Sequence, residues 1–280
     1  MKSLKKRKIL DGILYATMAL VTTSVIIALI LIVIYILRAQ AGYLNFSFIV
    51  GIENGILPMI VTTVYLVLVS IAVALPIGIG SAIFLNEYSG DSSLIRILRL
   101  AIETLAGIPS IIYGLFGLLI FCRIFGFGQS IIAGAFTLSI MILPVVIRTT
   151  EESLKSISDT YREASLALGA TKFQTIAFVV LPSALPGILT SVILAIGRVV
   201  GESAPVLLTV GITKNLPQTI FESGRTLTIH LYYLTSEAIQ PEDFAIAFAT
   251  ASVLVILVVI INTSAKILTY NFRKKLGDSM

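Results

Sequence analysis

The stretch TTEESLKSISDTYREASLALGATKFQTIAFVVLP, residues 149–182, is a hydrophilic island between strongly apolar segments. Three times in it a Thr is followed three residues later by Glu or Gln: Thr149 with Glu152, Thr160 with Glu163, and Thr171 with Gln174. In such a pair the hydroxyl accepts from an orphan N–H of the first helical turn, and the longer side chain reaches back to the cap. Each pair is expected to start a helix. Gly169 stands where the helix begun at Thr160 should stop, because glycine enters left-handed backbone without strain. Pro182 and Pro186 are expected to close the segment. These signals predict a short helix, a glycine turn and a second short helix, all outside a membrane.

The membrane enters through composition. The 280 residues are 57% hydrophobic and 12% charged, with a mean hydropathy of +1.01; a soluble chain carries about a quarter charged residues. The expectation is an all-α membrane protein, one transmembrane domain over residues 1–280, with about six spans. They are placed near residues 13–37, 57–85, 98–121, 131–147, 185–207 and 244–268. The first follows a basic head (Lys2, Lys5, Lys6, Arg7, Lys8), and Ala39, Gln40 and Ala41 mimic a signal cleavage site. Its apolar run exceeds a signal core of roughly 7–15 residues. At about 1.5 Å per residue it can cross a hydrocarbon layer of roughly 30 Å, so it is expected to remain in the protein. Pro76, Gly78 and Gly80 in the second span and Pro109, Gly114 and Gly117 in the third suit close helix packing in lipid. Arg99 and Glu103 lie one turn apart at the start of the third, where long side chains can reach the membrane edge.

Basic residues set the expected orientation. With the N-terminus inside, the inner segments hold Lys2 to Lys8, Arg96, Arg99, Arg148, Lys155, Arg162, Lys172, Lys266, Arg273, Lys274 and Lys275. The outer segments hold Arg38, Arg123, Lys214 and Arg225. Both termini and the hydrophilic island therefore belong in the cytoplasm of a multi-pass protein of the cell membrane. The net charge of +5 reads as this asymmetry, helped by anionic lipid, and not as nucleic-acid binding. A lone Cys122 excludes an intramolecular disulfide framework, and no Cys/His cluster suggests a metal or cofactor. The lone His230 reads as a solvated or packed side chain with no assigned role. No Gly-rich phosphate cradle ending in Lys-Ser/Thr occurs, so ATP hydrolysis of the usual kind is not expected of this chain.

Glu163, Ala164 and Ser165, then Gly169, then Val179, Leu181 and Pro182 resemble the EAA loop of type I ABC-importer permeases. Ser replaces the second Ala of that pattern and Val its usual Ile. The resemblance implies the MetI-like permease fold with a cytoplasmic coupling helix, and Glu163, Ala164, Ser165, Gly169, Leu181 and Pro182 as the segment docking on an ATPase. The plainer alternative is an amphipathic hairpin in which Glu163 only completes a cap. Further runs are similar to phosphate permeases of the PstA type: GIENGI at 51–56, LPIGIG at 75–80, LAGIPSIIYG at 105–114, IRTTEE at 147–152 and GRVVGESAP at 197–205. That resemblance implies a sister permease of the PstC type, two ATP-binding subunits and an extracytoplasmic phosphate-binding protein.

Arg198, Glu202 and Ser203 are the candidate substrate-pathway residues. An arginine within a span costs about 2.5–3.5 kcal/mol on insertion scales, so it should face a partner or a wet cavity. Its planar fork could meet phosphate oxygens during passage, with Glu202 holding it otherwise; alternatively the two charges only neutralise each other. Two other functions stay open: an importer permease for sulfate or molybdate, and a secondary carrier using the Arg/Glu pair as a relay. A coupling loop argues against the carrier.

Overall fold

The structure, a computed structural model, describes residues 2–39, 42–53, 55–90, 92–238 and 240–277. Gln40, Ala41 and Asn54 lie outside the described residues, as do the side chains of the basic residues at 2–8 and 273–275. Helices make up the regular structure described. In chain order they are α1 (Lys2–Ala39), α2 (Phe46–Val50), α3 (Leu57–Ile83), α4 (Ser93–Ala106), α5 (Ser110–Gly117) and α6 (Ile131–Lys155). There follow α7 (Asp159–Ala167), α8 (Lys172–Thr175), α9 (Leu181–Gly201), α10 (Ala204–Thr209), α11 (Leu227–Ser236) and α12 (Pro241–Gly277). Among the described residues five runs are long and apolar enough to cross a membrane: Leu10–Ala39, Leu57–Tyr88, Ile131–Lys155, Lys172–Gly201 and Glu242–Ile267.

The expected third span is not one helix. α4 and the run from Ser110 to Ile124 meet at an angle of 100°. Pro109 donates no N–H and keeps Ile108 out of helical backbone, while the N–H of Gly107 closes the last turn onto Thr104 and Leu105. The bend also separates chemistries. α4 carries Arg96, Arg99 and Glu103, whereas Ser110–Gly117 has no charge.

α3, α6 and α9 form the centre. The buried stripe of α3 (Thr62, Leu66, Ser70, Ala74, Gly78, Ala82) recurs every four residues and is mostly small. Small residues let helix backbones approach, which is the main source of packing energy in lipid. A Cβ on Gly78 would lie 2.6 Å from Val146 Cγ1 of α6, and one on Gly117 would overlap Thr137. Buried hydroxyls return to their own helices: Thr62 Oγ1 donates to Pro58 O (2.8 Å) and Thr63 Oγ1 to Met59 O (2.7 Å). Ser139 Oγ also reaches across from α6 to Ser70 O at 3.0 Å. Leu66, Leu138, Met141, Ile142, Val146 and Val199 fill the space between. Past its first turn each central helix contains one proline, Pro76, Pro144 and Pro186.

α1 stands outside this core. None of its 18-residue apolar window is buried in the chain, and it rests on α12 through Tyr35 against Phe248 and Ser252 Oγ to Ile36 O (3.3 Å). At the start of α6 the connection after α10 folds over the helix end. Ile131 N–H donates to Glu222 O (3.0 Å) and Ile132 N–H to Ile220 O (2.8 Å), satisfying orphan donors of the first turn.

Candidate functional site

α6 has 25 residues, so at about 1.5 Å per residue its ends are far apart. The hydrophilic island occupies the end opposite the 220–222 connection. It begins later than expected. Thr149 does not start a helix: α6 runs through it to Lys155, because Thr150, Glu151 and Leu154 bury a continuing face of the same helix. The next cap is Ser158, whose Oγ accepts from Thr160 N at 3.3 Å, so the Thr160 and Glu163 box is not formed. Ser158 offers the same oxygen two residues earlier. The third box is complete: Gln174 N donates to Thr171 Oγ1 (3.3 Å) and Thr171 N to Gln174 Oε1 (2.8 Å).

Between these arms Gly169 has φ +85°. Its N–H donates to Leu166 O (2.9 Å), and Ala170 N–H returns to Ser165 O (3.2 Å), so the turn closes on the last carbonyls of α7. Ser165, where the family pattern has Ala, places Oγ 3.0 Å from Thr175 Oγ1 and pins the two arms together. Pro182 and Pro186 do not end the segment. The chain widens into a π-helical turn at Ile176–Val180, Leu181 N–H bonds Ile176 O, and helix continues from Leu181 to Gly201. The wider turn makes room for the Pro182 ring in its first turn. Leu181 and Pro182 are half-buried there, whereas Glu163, Ala164 and Ala167 are exposed on α7. Glu163 has no ion pair or hydrogen bond among the described residues. Apolar side chains stand in the open around it: Tyr161, Leu168 (89% exposed), Phe173 and Phe178.

Charge ties this end together. Glu151 Oε1 is 3.0 Å from Arg99 Nη2 and 2.7 Å from Lys155 Nζ, ion contacts not aligned as hydrogen bonds. Arg162 of α7 is more fully engaged. It meets Glu87 of the π-helical turn Phe84–Tyr88, with Nη2 2.8 Å from Oε1, and it also bonds Asp159 and the carbonyls of Leu154 and Ile157. Bonding to Glu87 raises the guanidinium pKa above its ordinary value, against the effect of burial. Sequence reasoning missed this pair, whose members lie 75 positions apart.

The expected fifth span starts earlier and breaks sooner than residues 185–207. Arg198 lies in the last turn of α9, and Glu202 follows it with extended backbone (ψ 134°). Ser203 then leads into α10. Arg198 Nε is 3.7 Å from Glu202 Oε1, and both side chains are partly buried. A cation in the last helical turn also faces unpaired carbonyls, which favour it. Glu202 O accepts from Thr228 Oγ1 of α11 at 3.0 Å. Ser203 lines a mostly apolar cavity of about 590 Å³ beside Gly201 and Phe248. Beyond, on α11, His230 is buried with Nδ1 unpartnered among the described residues. Burial, then the charges of Arg225 and Lys214, lower its pKa to about 4.

A family model described as binding-protein-dependent transport system inner membrane component matches residues 74–278. The probable ABC transporter permease protein YqgI of Bacillus subtilis is 34% identical over 96% of this chain and 98% of its own. The phosphate transport system permease protein PstA 1 of Mycobacterium tuberculosis (strain H37Rv) is 38% identical over 72% of this chain and 65% of its own. Among solved structures, the inward-facing MetNI methionine ABC transporter matches with a TM-score of 0.64 and 23% identity, over 75% of this chain and 93% of the other. A bacterial alginate ABC transporter, in complex with an alginate pentasaccharide-bound periplasmic protein, matches with a TM-score of 0.72 and 17% identity, over 94% and 96%. At these identities the two structures speak for the fold alone, the importer permease fold expected from the resemblance.

Proposed function

The chain belongs to the binding-protein-dependent transport system inner membrane components, and from that premise we propose that it passes inorganic phosphate inward, driven by ATP hydrolysed on a partner. It is a multi-pass permease subunit of the type I importer class. The observation that carries the energetic part is the exposed hairpin of α7, Gly169 and α8. Its closed glycine turn, free Glu163 and uncovered Tyr161, Leu168 and Phe173 make a projecting surface of the kind a separate subunit can cover. Ala164 and Ala167 would let a cleft close on α7, with Leu181 and Pro182 anchoring the returning arm in the bundle.

Phosphate is favoured over sulfate or molybdate by the PstA-named relatives, and YqgI carries no substrate in its name. The partners of this reading are a sister permease of the PstC type, two ATP-binding subunits and an extracytoplasmic phosphate-binding protein. Hairpin and termini face the cytoplasm, as the basic residues demand. Arg198 offers its fork to phosphate oxygens, Glu202 occupies it when the path is empty, and Ser203 adds a hydroxyl at the break between α9 and α10. The Arg/Glu relay of a secondary carrier would leave the hairpin without a use. The deciding experiment is uptake of labelled phosphate by the reconstituted complex, with and without ATP and with sulfate as competitor. Uptake that ignores ATP removes the importer reading; uptake displaced by sulfate removes phosphate.

A further inference from the structure

α7 is fastened to the transmembrane bundle by very little. It buries none of its residues, and its helix packing is against α8 and the π-helical turn Ile176–Val180, the other arm of its own hairpin. A cavity of about 770 Å³ lies beside it, lined among others by Asn86, Lys155, Ser158 and Lys172. The chain ties α7 to α6 through residues 156–158 and to α8 through Gly169. Among the described side chains of α7, Arg162 makes the link to the turn that continues α3, while on the other arm Lys172 lies over the Tyr88 ring, 5.1 Å from its centroid. Its Nη2 lies 2.8 Å from Glu87 Oε1, and its Nε 3.3 Å from both Glu87 oxygens. Nη1 bonds Ile157 O (2.7 Å) and Asp159 Oδ1 (3.1 Å), and Nη2 also bonds Leu154 O (2.9 Å). Glu87 is 7% and Arg162 16% exposed, against 67% and 60% for the surface pair of Glu152 and Arg148. A shielded, forked pair holds its geometry where an exposed one does not. Glu87 stands on a π-helical turn directly continuing α3, so force on the carboxylate acts on that span.

We infer that Arg162 and Glu87 are positioning residues that fasten α7 to α3, so that a subunit displacing α7 moves α3 with it. The inference rests on the proposed role of α7 as an ATPase-docking surface. Without the pair α7 still docks, but its movement reaches the bundle only through the 156–158 connection to α6 and the hairpin's other arm leading into α9, and no longer pulls on Glu87. The test uses the whole complex, purified through a tag on this chain and reconstituted with binding protein and phosphate. Wild type, Arg162→Ala, Arg162→Lys and Glu87→Gln are compared for co-purified ATP-binding subunit, ATP hydrolysis and phosphate uptake on the same preparations. The expected result is retained subunit with phosphate moved per ATP reduced about tenfold in Arg162→Ala and Glu87→Gln. Arg162→Lys should fall between, keeping charge and losing the fork. An unchanged ratio, whether both rates hold or fall together, overturns the inference, as does loss of the subunit, which would make the pair an assembly contact. Glu87→Gln keeps volume and gives the answer even where Arg162→Ala fails to fold. A wild-type complex that moves no phosphate on ATP fails earlier, on the proposed function, and the inference goes with it.

Discussion

Replacing Gly169 by valine isolates one physical effect. The residue has φ +85°, and a Cβ built there meets nothing within 4 Å. No clash enters, and the whole cost is that of holding an L residue in left-handed backbone. That cost is roughly 1–2 kcal/mol, with β-branched side chains at the upper end and asparagine well below it. Since about 1.4 kcal/mol is a factor of ten, the closed turn loses about 5- to 30-fold against open ones. α7 has no buried residue to compensate, so the loss falls on the hairpin. Membrane insertion should survive, because the spans are untouched. Recovery of the ATP-binding subunits or ATP-driven phosphate uptake should fall severalfold in Gly169→Val and much less in Gly169→Asn. Gly169→Val matching wild type in assembly, uptake and hydrolysis would refute the reasoning, as would an asparagine variant equally impaired.

Orientation is read with cysteines placed at Lys155 and Lys214: an impermeant reagent applied outside should label 214 and spare 155, and labelling of 155 from outside reverses the topology. Native Cys122 is buried and should not compete. In the charged pair, Arg198→Lys should depress phosphate uptake in an assembled complex, since one ammonium cannot reproduce a bidentate grip; normal uptake by Arg198→Ala would reduce the arginine to a structural charge. His230 lies outside the candidate spans and supplies a pH dependence. Its pKa falls to about 4 in the fold from about 6.5 in an unfolded chain, so the unfolded state binds the extra proton between those values. Stability from this site is therefore complete above about 6.5 and drains as pH falls toward 4, by about 3 kcal/mol in all. Thermal melts of the detergent-purified protein should show that decline in wild type and a shallower one in His230→Gln; equal slopes count against it.

Local chemistry was readable where a single residue or a short box settles the backbone. Gly169 and the Thr171–Gln174 cap are such cases, since each satisfies its own hydrogen bonds within a few residues. The Thr149 box failed for the converse reason: Thr150 and Leu154 pack against other helices, and that burial outweighs a cap worth about 1 kcal/mol. Pro182 misled similarly, because a π-helical turn can absorb a proline that an α-helix cannot. The break at residues 107–109 had its proline in plain view, but an apolar run is equally apolar bent or straight. Glu87 and Arg162 carry no local mark at all; only the fold brings residues 75 positions apart to 2.8 Å.

Pro76 and Pro144 supply no N–H, which frees the carbonyls of Ala72 and Ile140 from their usual donors. Both prolines lie two residues from the tight contact of Gly78 on Val146. The interrupted ladders of α3 and α6 therefore lie level with each other, on either side of a contact so close that the methyl of an alanine at position 78 would already meet Val146.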